Sequence, residues 1–292
     1  MAKVKPDIAI IGAGVVGTAI GLLAGRAGYP VVAVASRRRA SAEQAARAIG
    51  EGVAVREPLE AAAMGGLLLL TVPDDALADL ADQLARARAV RPGAVVAHCS
   101  GALPSRVLAP LEACGADLAS MHPLQTFPTV ASAVESLPGC YCLCEGAPAA
   151  VSRVMQLAAD IGCVPVEIEP DRKTLYHAAA CIACNYLATL QEAALAAAVL
   201  AGIGRDAARK ALAPLVAATV RNVSELDTGA ALTGPIARGD AQTVLRHLTA
   251  LRHTDPTLAD LYRQLGLRTV ELAAKAGRID PEQVRRLRQA LE

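Results

Sequence analysis

The chain has 292 residues, 53% of them hydrophobic and 20% charged, with a formal net charge of +1. That length suits two domains or one large one, and the near-zero charge gives no field that would gather nucleic acid or an anionic membrane. With no Trp and one Phe, aromatic stacking on bases is not expected either.

The residues Met1-Ala-Lys-Val-Lys5 lead straight into an apolar strand and are expected to leave no room for a signal peptide. That strand, Ile8-Ala-Ile-Ile11, runs into Gly12-Ala13-Gly14-Val15-Val16-Gly17, and a helix pattern follows to about residue 27. Strand, tight turn and helix form the context that a dinucleotide fingerprint requires. Gly12 allows the turn, Gly14 lets a pyrophosphate approach the backbone, and Gly17 lets the helix pack close on the strand. The free N–H groups and positive dipole end of the helix then face the phosphates. Residues Gly12, Ala13, Gly14, Val15, Val16 and Gly17 are therefore the expected cofactor cradle.

The second strand, 31–35, ends in Ser36-Arg37-Arg38-Arg39, and the first acid after it is Glu43 in the next helix, 41–49. An NAD site usually places Asp or Glu at this strand end, on the ribose 2′-hydroxyl. A serine hydroxyl and an arginine fork suit a 2′-phosphate instead, so the cofactor reads as NADP(H), with Ser36 and Arg37 as its contacts. The fully apolar strand 67–72 ends in Val72-Pro73-Asp74, where Val72 and Pro73 are expected to border the cofactor. A helix to about residue 89 follows. Further strands are expected at 94–98, before Cys99-Ser100-Gly101, and at 118–121, before His122-Pro-Leu-Gln-Thr-Phe127. Two more fall at 140–144 and 164–168 around a helix at 147–161. Alternating strands and helices predict a doubly wound α/β domain over 1–168. Ligands gather at the carboxyl ends of such strands, which makes Ser100 a candidate cofactor contact and His122 a candidate substrate contact.

Eight cysteines are present. Cys140, Cys142 and Cys144 alternate along one strand face, and Cys181 and Cys184 are three apart on a helix. Neither set has the paired spacing of a zinc site, so no metal is expected. Reduced thiols used as small apolar residues point to the cytoplasm.

From 169 to 292 no strand pattern recurs. Residues 171–200 read as one long helix, followed by helices near 205–223, 240–252 and 255–276 and a last one from Pro281. This predicts an all-α domain whose Ala-rich faces suit a homodimer burying part of 172–276. The apolar stretches are interrupted, so no membrane span is expected. Lys173, His177, Cys181 and Asn185 recur every four residues and share one stripe, which suits a cleft. In Leu232-Thr-Gly-Pro-Ile-Ala-Arg238-Gly-Asp240, Asp240 can cap the next helix or meet substrate, and Arg238 has no evident structural duty.

Several of these motifs occur together in one family: the Gly12–Gly17 fingerprint with Ser36-Arg37, His98-x-Ser100-Gly101, the run from His122 to Phe127, Leu175-Tyr-His-Ala-Ala179 with Asn185, and Thr233-Gly-Pro-x-x-Arg-Gly-Asp240. Nearly the whole chain resembles bacterial Rossmann-like proteins carrying a C-terminal domain of unknown function, DUF2520. These are relatives of pyrroline-5-carboxylate reductase and of the ketopantoate and β-hydroxyacid dehydrogenases. The resemblance implies an NADP-dependent oxidoreductase, with ketopantoate as one candidate substrate. In the wider superfamily a Lys and an Asn four residues apart handle the carbonyl, whereas here Lys173 is followed four later by His177.

The expected function is thus NADPH-dependent reduction of a small C=O substrate. The alternatives are a pyrroline-type imine reductase and a non-catalytic NADP(H) sensor. His177 is the first expected proton donor, because its ordinary pKa lies near neutrality. Lys173 is the second, and Asn185 would hold the substrate oxygen. A sensor has no need of a proton donor in the cleft.

Overall fold

The computed structural model describes residues 5–292, so the expectation for residues 1–4 lies outside the described residues. The chain divides into two compact units, Met1–Ala183 and Cys184–Glu292.

The first unit is built on eight strands: β1 (Ile8–Ile11), β2 (Val31–Ala35), β3 (Ala54–Val55), β4 (Leu67–Leu70), β5 (Val95–His98), β6 (Asp117–Pro123), β7 (Tyr141–Gly146) and β8 (Val164–Glu167). They lie side by side in the order β3-β2-β1-β4-β5-β6-β7-β8. Its helices are α1 (Val15–Arg26), α2 (Arg39–Ile49), α3 (Pro58–Ala62), α4 (Asp74–Arg86), α5 (Val130–Ser136), α6 (Pro148–Asp160) and α7 (Lys173–Ala183). A 3-10 segment, Ser105–Cys114, leads from β5 to β6.

The central strands β1 and β4 are apolar at every position, and β5 up to its last residue, because both faces of the sheet are covered. Ile8, Ile10, Leu67, Leu69, Val95 and Ala97 pack into a core shared with α1 and α6. Their neighbours Ala9, Ile11, Leu68, Leu70 and Val96 pack into a second core with α3, α4 and the 3-10 segment. Cys140, Cys142 and Cys144 all enter the first core, as alternation along a strand requires.

The sheet is parallel from β3 through β6, but β7 runs antiparallel to β6, and β8 runs parallel to β7. Antiparallel neighbours need no crossover helix between them, and only the short α5 lies between β6 and β7. The strand order reverses direction at β1, since β2 and β4 lie on either side of it. Its carboxyl end is therefore the topological switch point, where such sheets bind ligands.

The stretch expected as one helix over 171–200 is two. Cys184, with φ −114° and ψ −58°, ends α7 before α8 (Asn185–Leu200) begins. The compact first unit continues through α7 because Lys173 at its start is buried among side chains of the sheet and the 3-10 segment.

The second unit is all helical: α8, α9 (Arg205–Glu225), α10 (Thr228–Ala231), α11 (Ala241–Thr254), α12 (Pro256–Lys275) and α13 (Pro281–Leu291). Val244, Val270, Ala273, Leu287 and Leu291 make its core with Ile236. Asp240, Asp255 and Asp280 cap α11, α12 and α13 by accepting the N–H of Thr243, Leu258 and Gln283. In contrast, α8 buries no residue and α9 buries only Ala208. Against the expectation of no membrane span, Pro170–Leu200 is long and apolar enough to cross a membrane by length and composition.

Candidate active site

The cradle at the carboxyl end of β1 is shaped by backbone. Gly12 has φ +121°, and a Cβ there would lie 2.5 Å from the Thr71 carbonyl carbon. Only glycine meets both conditions. Thr71, just beyond β4, donates its hydroxyl to the Gly12 carbonyl at 2.6 Å and so ties the two strand ends together. A Cβ at Gly17 would collide with Thr71 Oγ1 and the Gly12 carbonyl, which is how closely α1 approaches the strands. Gly14 differs: it is exposed, and a Cβ there would meet nothing within 4 Å. It stands at the N-cap of α1 with no side chain capping the helix. The first-turn N–H groups thus have no side-chain cap, as a phosphate site requires.

Ser36 is half-buried at the end of β2, and Arg37 beside it is exposed. Arg39 pairs with Glu43, whereas Arg37 makes no ion pair or side-chain hydrogen bond among the described residues. The residues present thus fit a 2′-phosphorylated dinucleotide: a glycine cradle, an open helix end, a hydroxyl and a free guanidinium. Val72 and Pro73 follow Thr71 on the same edge.

Farther along that edge, β5 ends in His98 and leads to Ser100 and Gly101. Ser100 is largely buried, and its hydroxyl is fully engaged. It donates to Asp74 Oδ2 at 2.7 Å and accepts the Ala102 and Leu103 N–H groups at 3.2 and 3.0 Å. Its visible role is therefore to hold the loop after β5 against the start of α4. The Ser100 N–H donates to His98 Nδ1 at 3.1 Å. Burial, and then the Lys173 ammonium, hold His98 down at about 3, with the Pro104 carbonyl pulling the other way. His98 is thus neutral at pH 7.

Two more imidazoles converge on Gly101. A Cβ there would lie 2.8 Å from His122 Nε2 and would collide with the His177 ring. The two rings stand edge to face with centroids 5.9 Å apart. His122 Nδ1 lies 2.9 Å from the Tyr176 hydroxyl. Burial, reinforced by the Lys173 charge and by His177, lowers His122 to about 4. His177 is half-buried, with Cys181 Sγ 3.9 Å from its Nδ1.

Lys173 does not share this opening. Its side chain is 0% exposed. The ammonium donates to the Ser100 carbonyl at 2.7 Å and to the Ser120 hydroxyl, and lies 3.6 Å from Glu145 Oε1. Glu145, 1% exposed, accepts the Ser105 N–H and hydroxyl at 2.7 and 2.8 Å. Burial lowers the Lys173 pKa and the Glu145 carboxylate opposes it. This amine is an anchor joining α7 to β5, β6 and β7, with no path to a substrate in this arrangement.

The structure therefore brings together Ser100, His122, Lys173 and His177 from the residues expected by sequence. Asn185 opens α8 and belongs to the second unit. Arg238 ends the short 3-10 turn Ile236–Arg238, and the Asp240 carboxylate is committed to its N-cap. Thr71, Gly101, Ser105, Ser120, Glu145 and Tyr176 were not anticipated. Gly101 and Tyr176 stood in the quoted motifs without a role, and Glu145 left a trace as an acid in the apolar strand Cys140-Tyr-Cys-Leu-Cys-Glu145.

Residues 1–123 match the model for Rossmann-like domains, and residues 140–269 match the domain of unknown function DUF2520. No curated protein matches the chain by sequence. Among solved structures, the chain is similar to a candidate NADP oxidoreductase from Bacteroides fragilis, at 24% identity and TM-score 0.72 over 91% of this chain and 98% of the other. A protein from Thermotoga maritima is 23% identical with TM-score 0.72, covering 93% and 100% of the two chains. An imine reductase from Pseudomonas sp. is 20% identical with TM-score 0.64, covering 99% and 100%. At these identities the likeness establishes a shared fold. By its two domain matches, the chain is a Rossmann-like protein carrying a DUF2520 domain.

Proposed function

We propose that the protein is an NADPH-dependent reductase of a small molecule with a C=O or C=N bond, such as the 2-oxo acid ketopantoate or a cyclic imine. The observation that carries this reading is the open cradle at Gly14, flanked by Ser36 and the unpaired Arg37 where an NAD site has an acid. The fold shared with a candidate NADP oxidoreductase and with an imine reductase agrees with it.

When bound, NADPH would supply the hydride to the carbon of the C=O or C=N bond, leaving the electron pair on oxygen or nitrogen. That atom then needs one proton. His177 is the group to supply it, since it is half-buried beside Gly101 and carries an imidazole that can hold and release a proton. Lys173, sealed and triply held, acts instead by fixing α7 and hence the position of His177. Asn185 as a holder of substrate oxygen, and Arg238 and Asp240 as substrate contacts, are carried as proposals from the sequence alone. A pure NADP(H) sensor would have no use for paired imidazoles on the cofactor edge of the sheet.

A panel of 2-oxo acids and cyclic imines, followed by NADPH absorbance, tests this reading. The expected result is turnover of at least one class. In His177→Gln that turnover should fall by about 10²–10⁴, with NADPH affinity nearly unchanged. A variant that keeps most of its turnover would remove His177 from the chemistry.

The same reading includes a homodimer and a reducing compartment such as the cytoplasm. All eight cysteines are free thiols, as a reducing compartment allows. The unburied helices α8 and α9 expose Tyr186, Val199, Leu200, Leu215, Val220 and Val223, and a second copy of the chain is the proposed cover.

A further inference from the structure

The Tyr176 hydroxyl has one hydrogen-bond partner among the described residues, His122 Nδ1 at 2.9 Å. The two residues come from different elements, α7 and the end of β6, and the rings meet edge to face with centroids 5.7 Å apart. A neutral phenol has a single proton to donate, and a neutral imidazole has one donor nitrogen and one acceptor. In the tautomer in which the phenol donates to Nδ1, the imidazole proton sits on Nε2. Among the described residues that nitrogen has no hydrogen-bond partner, and it is not sealed from solvent. It points to the space that a side chain at Gly101 would fill, the space also bordered by His177.

We propose that Tyr176 is a positioning residue: by donating to His122 Nδ1 it holds the Nε2–H of His122 outward as the hydrogen-bond donor that polarises the C=O or C=N bond of the substrate. The inference rests on the reductase reading and divides its labour. His122 stays neutral throughout and loses no proton, since a neutral imidazole gives one up only as a very unfavourable anion. It strengthens its hydrogen bond as charge builds on the substrate oxygen or nitrogen. His177 supplies the proton that ends the reaction. The surroundings keep His122 neutral from every side. Burial first, and then the Lys173 ammonium and His177 on α7, disfavour a positive charge on it, while the nearby His98 is itself neutral. The same environment raises the Tyr176 pKa, mainly through burial, so the phenol keeps the proton it must donate.

Imidazole ¹⁵N NMR on the full chain tests the geometry without turnover. The chain has five histidines, and His122→Gln assigns the signal. At pH 7 the expected His122 spectrum has a protonated Nε2 and a hydrogen-bonded, unprotonated Nδ1. In Tyr176→Phe the Nδ1 signal should move toward that of a free acceptor. In the same variant, turnover of the best substrate from the panel should fall about two- to tenfold, the worth of one neutral hydrogen bond, with the NADPH dissociation constant unchanged. His122→Ala should lose about 10²–10³ in kcat, and His122→Gln, whose amide still donates, should keep more. An Nδ1-protonated tautomer, or a Tyr176→Phe spectrum identical to that of the wild type, overturns the dyad while the reductase reading stands. A wild type that oxidises NADPH with nothing in the panel overturns the reductase reading, and with it the polarising role of His122, whatever the tautomer.

Discussion

Protonating His98 would cost the fold twice. The imidazole is buried, and its Nδ1 must stay bare to accept the Ser100 N–H that shapes the loop before Gly101. Its pKa falls from the ordinary 6.5 to about 3 in the folded chain. Between those values the unfolded state binds a proton that the folded state refuses, so stability rises with pH and is lost as pH falls. The stabilising effect is complete above about pH 6.5 and shrinks below it by about 1.4 kcal/mol per pH unit. His122, lowered to about 4, adds a similar slope. In His98→Asn an amide oxygen can still accept the Ser100 N–H but does not titrate. Urea unfolding between pH 6.5 and 5 should therefore lose stability less steeply in this variant than in the wild type. Identical slopes would show that His98 does not carry the dependence.

At the scale of elements, the turn from β1 into α1 separates two duties of glycine. Gly14→Ala meets open space at an ordinary φ of −83°. It should leave the urea midpoint unchanged while weakening NADPH, because the new methyl stands where the phosphate must approach. Gly17→Ala meets Thr71 and the Gly12 carbonyl. It should destabilise the fold by about 1–3 kcal/mol, as overpacking does, although Gly→Ala inside an ordinary helix is stabilising. If both variants unfold alike, the two roles are not distinct. This turn was legible in the sequence because each requirement is local and fixed in spacing. The serine and arginine at the end of β2 were legible for the same reason. The Lys173 anchor was not, because its partners Ser100, Ser120 and Glu145, and Ser105 that in turn holds Glu145, come from separate places along the chain and meet only once the sheet has formed. Nor was the break at Cys184, which lies between apolar helix formers with no glycine or proline to mark it. The antiparallel return of β7 escaped notice because strand direction leaves no mark in an apolar run.

For the whole molecule, the second unit states its own incompleteness. Its core gathers on α11, α12 and α13 with Ile236, whereas Tyr186 is 58% exposed and Leu215 62% exposed on helices that bury almost nothing. Apolar faces of this extent mark an interaction surface. The helical stretch Pro170–Leu200 is also long and apolar enough to cross a membrane by length and composition, but it holds a buried, ion-paired Lys173 near its start and Glu192 paired with Arg205. A second copy of the chain is the proposed occupant. Sedimentation at micromolar concentration should show a dimer in the absence of detergent, with or without NADPH. A monomer under both conditions would remove the dimer.

The choice of dinucleotide rests on Ser36 and Arg37, and every later step of the proposed chemistry depends on it. Titrating NADPH and NADH separately against the purified chain, by fluorescence, measures it directly. A charge-assisted contact to the 2′-phosphate is worth roughly 1.5–3 kcal/mol, so NADPH should bind about tenfold to over a hundredfold more tightly. Arg37→Ala should bring the two dissociation constants together by weakening NADPH alone. Equal affinities in the wild type, or tighter binding of NADH, would contradict the assignment.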